Sequence, residues 1–349
     1  MIKILHSADW HLDSPLGFSD EKLRTLLHSV PKRIAAACRQ EQCDMVLLAG
    51  DLFDGPYAND TYRQLYDALE EMAVPVFISP GNHDFVGTDS PWLREVWPEN
   101  VHIFTHPAIE AYDVPGLDCC VYGAGYIGMD CPGLLQDFFP THTEKYAVGV
   151  LHGDPAQVTS PYCPVTAAQV SQSGLHYLAL GHIHKAGSFR AGKTLCGWPG
   201  CPMGRGYDES GDKGYCIVTL DESADVRFVS LGLPRFFDLE VAPEQSLEAL
   251  LPPVGNEDHY RITFVGSREA PDLVALKSRY SRFPNLVLRD RTTPPLDIWG
   301  TAGEDTFEGI YFKLLHDALE QAEPEDAEQI RLAAEISRKL LEGQEVELP

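Results

Sequence analysis

Residues 44–54 read DMVLLAGDLFD, an apolar run that breaks on Gly50-Asp51. A short continuous apolar run closed by glycine is the pattern of a strand buried on both faces, and polar residues at its end are where an open α/β sheet places its chemistry. The pattern recurs on either side. Upstream, residues 2–11 (IKILHSADWH) pass from an apolar strand, Ile2–Ser7, into Asp9-Trp10-His11. Downstream, residues 74–84 (VPVFISPGNHD) pass from Val74–Ser79 into Gly81-Asn82-His83-Asp84. Helical periods fill the gaps. Leu23, Leu26, Leu27, Val30, Ile34 and Ala37 share a face over Lys22–Gln40, with Pro31 kinking or dividing that helix, and Leu65, Leu69 and Met72 share one over Asp60–Met72. Strand, helix, strand, helix, strand opens a parallel sheet with right-handed crossovers.

After Val101 the rhythm changes. Strands are expected at Val101–Phe104, Cys119–Tyr122, Tyr146–Leu151, His176–Leu180, Gly214–Leu220 and Val226–Ser230, with one short helix at Val165–Ser171. Two packed sheets flanked by helices suit this better than one doubly wound sheet. A boundary falls near Leu233–Pro234 or Pro243. Beyond it Tyr260–Val265, Ala270–Tyr280 and Asn285–Arg289 form a β-α-β unit, and a Thr/Pro/Gly-rich linker, Arg291–Asp305, leads to two helices. The first is Thr306–Gln321, with Thr306 as N-cap and Glu308 in its first turn, and the second is Glu325–Leu341.

Composition limits the partners. The 349 residues carry 27 Lys and Arg against 52 Asp and Glu, a net charge of −25, so a broad basic surface for nucleic acid is excluded. Asp258–Arg291 alone runs the other way, with seven basic against four acidic side chains. The nine cysteines are odd in number and irregular in spacing, which reads as reduced thiols in the cytoplasm. No signal peptide and no membrane span are expected.

Five segments at strand ends carry the chemistry: Asp9-Trp10-His11, Gly50-Asp51, Gly81-Asn82-His83-Asp84, Leu151-His152-Gly153 and Gly181-His182-Ile183-His184. Each alone reads as a turn, a cap or a satisfied histidine; five in this order point to one centre. In extended backbone, residues i and i+2 face the same way, so Asp9 with His11, and His182 with His184, are expected to reach one region. Oxygen and imidazole donors without thiolate suit Mn²⁺, Fe²⁺ or Zn²⁺ better than Mg²⁺ alone.

The arrangement resembles the calcineurin-like metallophosphoesterase superfamily, whose signature D-x-H, G-D, G-N-H-(D/E), H and G-H-x-H is complete here. The resemblance implies a four-layer α/β/β/α sandwich and two divalent metal ions. One ion would be held by Asp9, His11, Asp51 and His184, the other by Asp51, Asn82, His152 and His182, with Asp51 as bridge. His83 would stand at the leaving group without ligating, and Asp84 would orient it or act structurally. ILHSADWHLDSP, GDLFDG and GNHD look like the nuclease subunit of SbcCD complexes, and more closely like the shorter YhaO-type DNA repair exonucleases. That branch implies a catalytic domain over 1–233, a β-α-β capping domain over 234–292 and a linker with C-terminal helices over 293–349. It also implies Mn²⁺, DNA as substrate, a homodimer, and a coiled-coil ABC ATPase like SbcC docking on the helices.

Two departures matter. Asp54 stands where many members carry a second histidine that helps place substrate, and Gly200-Cys201-Pro202 replaces a Gly-Ser segment. The acidic charge and Asp54 keep a small-molecule phosphodiesterase or nucleotidase as the rival reading, and a non-catalytic scaffold as a third. For the cap, the plainer alternative is that Arg279, Arg282, Arg289 and Arg291 form a solvated face. For Thr306–Gln321, with Phe307, Ile310, Tyr311, Leu314, Leu315 and Leu319 along one stripe, it is a hairpin with Glu325–Leu341.

Overall fold

The computed structural model describes residues 1–15 and 21–346. It holds two compact units, Met1–Phe237 with Glu257–His259, and Asp238–Asn256 with Tyr260–Pro349. The first begins with β1 (Ile2–Ser7), α1 (Glu21–His28), α2 (Val30–Glu41), β2 (Met45–Leu48), α3 (Asn59–Met72), β3 (Val76–Ile78), α4 (Pro91–Arg94) and β4 (Val101–Ile103). It continues with β5 (Glu110–Asp113), β6 (Cys119–Gly123), β7 (Tyr146–His152), α5 (Ala167–Gln172), β8 (Tyr177–Gly181), β9 (Gly187–Ala191), β10 (Thr194–Trp198), β11 (Gly214–Leu220) and β12 (Ala224–Ser230). Pro31 divides the first helical stretch: it occupies the opening turn of α2, where a missing N–H leaves no bond unmade.

Two six-stranded sheets form, ordered β12-β11-β1-β2-β3-β4 and β5-β6-β7-β8-β10-β9. β1 to β4 run parallel, with β11 antiparallel to β1; β6, β7, β8 and β10 run parallel between antiparallel edges. Alternation sorts the apolar side chains into layers. Ile4, Leu47 and Phe77 face Val121, Val148 and Tyr177 between the sheets. Their neighbours Leu5, Val46 and Ile78 pack outward on Leu27, Ile34 and Leu65 of α1, α2 and α3. Leu178 and Leu180 pack the opposite way, on Val170 of α5. The result is the α/β/β/α sandwich, in which the central parallel strands β1, β2, β3, β6, β7 and β8 are covered on both faces while the edge strand β4 is half-buried.

The chain continues with a three-stranded sheet, β13 (Phe236–Val241), β14 (His259–Ser267) and β15 (Leu286–Thr293), with α6 (Leu247–Leu250) and α7 (Leu273–Arg279), then α8 (Phe307–Glu320) and α9 (Pro324–Leu341). β14 and β15 are parallel, joined through α7. The Thr306 hydroxyl accepts from Gly309 N at 3.0 Å and caps α8. α8 and α9 form a hairpin that buries Phe312 and Ala334 and sets the Arg338 guanidinium 4.0 Å from the Phe312 ring centroid. The hairpin uses Phe312, outside the expected stripe, so Phe307, Ile310 and Leu314 are left exposed. No helix among the described residues is long and apolar enough to cross a membrane.

Candidate metal centre

Beyond β1 and β2 the two chains stay paired: Asp9 N donates to Gly50 O at 3.0 Å, His11 N to Asp51 O at 2.9 Å and Leu12 N to Leu52 O at 2.9 Å. The backbone there is not extended. Asp9, His11 and Asp51 have φ of 55°, 46° and 52°, and His182 has 92°. Asp9 and His11 therefore converge through left-handed residues, which corrects the alternation expected of an extended segment. Each such residue costs on the order of 1–3 kcal/mol, a strain that structures hold at functional sites. Gly50 has φ 86°, and a Cβ there would lie 2.6 Å from His152 Nδ1, so the turn next to Asp51 requires glycine on both counts.

Hydrogen bonds on the outer ring atoms decide what the inner atoms offer. His152 Nδ1 donates to Ala49 O at 2.9 Å, which leaves a lone pair on Nε2. That nitrogen faces Asn82 Oδ1 at 3.0 Å and Asp51 Oδ2 at 3.4 Å. His184 Nδ1 is held by Glu209 Oε1 at 2.7 Å, and its Nε2 faces His11 Nε2 at 3.1 Å. Asp51 Oδ2 also lies 3.8 Å from His11 Nε2, between the two histidine pairs. Asp9 Oδ1 accepts from His182 N at 2.9 Å, while its buried Oδ2 has no hydrogen-bond partner among the described residues. Inward-facing lone pairs on neighbouring acceptors repel unless a cation lies between them, and an orphaned buried carboxylate oxygen costs several kcal/mol on the order of magnitude. These residues therefore fit divalent metal ions. Asp9 with His11 and His184, and Asp9 with Asp51 and His152, each bring ligand atoms within 4.8 Å of one another, so more than one ion position is available. Burial pushes the Asp51 carboxyl up, but His152 and His11 hold it below its ordinary value. The His182 ring lies beside that of His152, centroids 5.3 Å apart.

His83 differs from its buried neighbours. Its backbone N donates to Asp51 Oδ1 at 2.9 Å, while the side chain is 42% exposed with Nδ1 bonded to Asp54 Oδ1 at 2.6 Å. It lines a cavity of about 690 Å³ together with Tyr57, Phe85 and Arg94. The bond to Asp54 raises the His83 pKa, and the His11 and His83 imidazoles hold the Asp54 carboxyl well below its usual range. Asp84 is bound differently. Its oxygens accept from Gly81 N at 2.7 Å, Leu52 N at 2.7 Å and Phe53 N at 3.3 Å, so it pins the two loops together by their backbones. Burial and the neighbouring Asp51 charge push its carboxyl up to about 7.

Two further side chains emerge from the loop after β10. Glu209 is buried, and besides His184 it binds Arg205, whose backbone N and guanidinium both donate to it. Arg205 Nη1 lies 3.8 Å from Asp54 Oδ2 and donates to Ser14 Oγ at 3.2 Å. The ordinary helical spacing of Arg205 and Glu209, in a stretch that forms no helix, gave no sign of this role. Cys196 is buried in the outer core, and Cys201 lies against His184 O, beside Glu209.

A model of the calcineurin-like phosphoesterase family matches residues 2–186, the stretch that carries all five segments. The chain belongs to that family. It is 32% identical over 237 residues to the metallophosphoesterase YhaO of Bacillus subtilis, covering 62% of this chain and 57% of that protein. The chain thus matches little more than half the length of that relative. The SbcD component of nuclease SbcCD from Staphylococcus epidermidis is 21% identical over 327 residues, covering 82% of this chain and 84% of that one. Among solved structures, a dimetal phosphatase from Danio rerio aligns over 66% of this chain and 96% of its own, at a TM-score of 0.46 and 14% identity. The convergent donors, of the types that a metal-dependent phosphoesterase requires, lie within the stretch that the family model matches.

Proposed function

We propose that the chain is a DNA exonuclease or endonuclease of the SbcD/YhaO branch, hydrolysing phosphodiester bonds with two divalent ions, Mn²⁺ first among them. The observation that carries the two-ion reading is Asp51 Oδ2, set 3.4 Å from His152 Nε2 and 3.8 Å from His11 Nε2. We assign Asp9, His11, Asp51 and His184 to one ion and Asp51, Asn82, His152 and His182 to the other. Bound there, the ions would supply Lewis acidity for a nucleophilic water and for the phosphoryl oxygens. The protein's own groups do the rest. Ala49 O and Glu209 fix the ring orientations of His152 and His184, as hydrogen bonds behind metal-binding histidines do elsewhere. Asp54 occupies His83 Nδ1, so Nε2 is the atom that gives a proton to the departing oxygen. Asp54 thereby acts on a histidine rather than on phosphate.

DNA as substrate rests on the likeness to SbcD along most of both chains, on the YhaO resemblance and on the basic excess at Asp258–Arg291. The exposed face of α8 is assigned to an SbcC-like ATPase, and homodimerisation to the catalytic unit. The rival, a small-molecule phosphodiesterase, draws on the net charge of −25 and on ion pairs that offset the patch, Arg261 with Asp238 and Arg279 with Glu248. End-labelled duplex DNA and bis-p-nitrophenyl phosphate are to be incubated with the protein and Mn²⁺, each beside the Asp51→Ala variant. Cleavage of both by the wild type alone is expected. Cleavage of the small diester but never of DNA, even with an ATPase partner added, selects the rival.

A further inference from the structure

The geometry points to a third metal site, formed by Asp113, Cys120, His142 and Glu144 at the opposite end of the second sheet from the phosphoesterase centre. We propose that it binds one Zn²⁺-class ion structurally.

Asp113 on β5 and Cys120 on β6 are directly paired across an antiparallel ladder, which puts their side chains on one face. His142 and Glu144 come from the segment leading into β7. The segment is held in place, since the buried Tyr122 hydroxyl accepts from Thr141 N at 3.1 Å and His142 N at 3.0 Å. All four residues offer ligand atoms within 4.8 Å of one another. Thiolate, imidazole and two carboxylates are the donor types zinc takes, and four protein donors make the closed shell of a structural site.

Two observations call for a cation beyond that proximity. Glu144 Oε2 has no hydrogen-bond partner among the described residues although its side chain is 23% exposed, and His142 Nδ1, bonded to Asp113 Oδ1 at 2.5 Å, stands 3.9 Å from it. Cys120 is 1% exposed, yet its thiol is turned toward two carboxylates instead of apolar neighbours alone. A divalent ion reverses the carboxylate repulsion and the burial penalty together. The centre at the end of β7 lies about 20 Å away along that strand, so the two sites share no ligand. An ion here would join the β5–β6 hairpin to the entry of β7.

The test titrates the full chain with Co²⁺ and reads the thiolate-to-cobalt charge-transfer absorption, with metal content measured after dialysis. The band and one equivalent of metal are expected to survive Asp51→Ala and Cys201→Ser and to disappear in Cys120→Ser and His142→Ala. His142→Ala alters a partly exposed side chain, so it decides the matter if Cys120→Ser fails to fold. Hydrolysis of bis-p-nitrophenyl phosphate by His142→Ala should match wild type, while its thermal midpoint rises less with Zn²⁺ than that of wild type, by the share that this site contributes. A missing band, a band lost only with Cys201→Ser, or unchanged metal content in His142→Ala would overturn the proposal.

Discussion

Asp54 and His83 form a polar pair that carries the centre out to solvent, through a 2.6 Å bond. A bond to a ring nitrogen that does not meet substrate acts by fixing the tautomer and orientation of the nitrogen that does. Asp54→Asn is therefore expected to lower turnover about tenfold or more while bound metal stays at the wild-type level. His83→Ala should fall further, most with a poor leaving group, again with metal retained; loss of metal from His83→Ala would make it a ligand. His6 answers a different question. Its Nδ1 lies 2.8 Å from the Tyr177 hydroxyl and its Nε2 3.1 Å from Leu180 O, between the sheets, and burial lowers its pKa to about 3. Unfolded, it titrates near its ordinary 6.5, so below that pH the unfolded chain binds a proton that the folded chain refuses. Its contribution is thus complete above about 6.5 and is lost as pH falls toward about 3, at up to about 1.4 kcal/mol per pH unit. Denaturant melts of wild type and His6→Asn between about pH 4 and 7.5 should show a shallower slope in the variant.

At the scale of elements, α8 separates two functions on one helix. Phe312 is fully buried in the hairpin, whereas Phe307 is 83% and Leu314 64% exposed. Phe312→Ala should cost about 3–5 kcal/mol of the second unit's stability. Leu314→Glu should cost under about 0.5 kcal/mol and abolish capture of an SbcC-like ATPase, read by co-purification and by urea melts. The apolar stripe was plain in the sequence, but period alone does not say which flank of it meets α9. Other elements divide the same way. β1, β2, β7, β8 and β11 were legible because strands covered on both faces are apolar throughout. β5, β9 and β13 were not, since Glu110–Asp113, Gly187–Ala191 and Phe236–Val241 are short and carry exposed polar residues. The donors were legible by their place at strand ends. Their left-handed backbone was not, and neither was Glu209, which reaches His184 from a loop without periodicity.

For the molecule as a whole, charge and fold pull against each other. The chain carries −25, and its centre gathers buried Asp9 and Asp51 where β1 and β2 end, with burial opposing ionisation of Asp51. Removing divalent ions leaves those carboxylates unpaired in low dielectric, so metal binding and folding are coupled: an ion that binds only the folded chain adds RT ln(1 + [M]/Kd), about 2.7 kcal/mol at a hundredfold excess over Kd. Chelation is expected to lower the thermal midpoint of wild type and Mn²⁺ to restore it. In Asp51→Ala the carboxylate placed between both histidine pairs is gone, and so is one source of repulsion in the metal-free state. That variant also loses the attraction of Asp51 to His152 and His11 and the acceptor of the His83 N–H, so it should be somewhat less stable than wild type in EDTA and gain much less from Mn²⁺. Calorimetry of the two proteins, each with EDTA and with Mn²⁺, reads the difference directly. An equal gain in both would mean that Asp51 bridges nothing, and the two-ion assignment would fail with it.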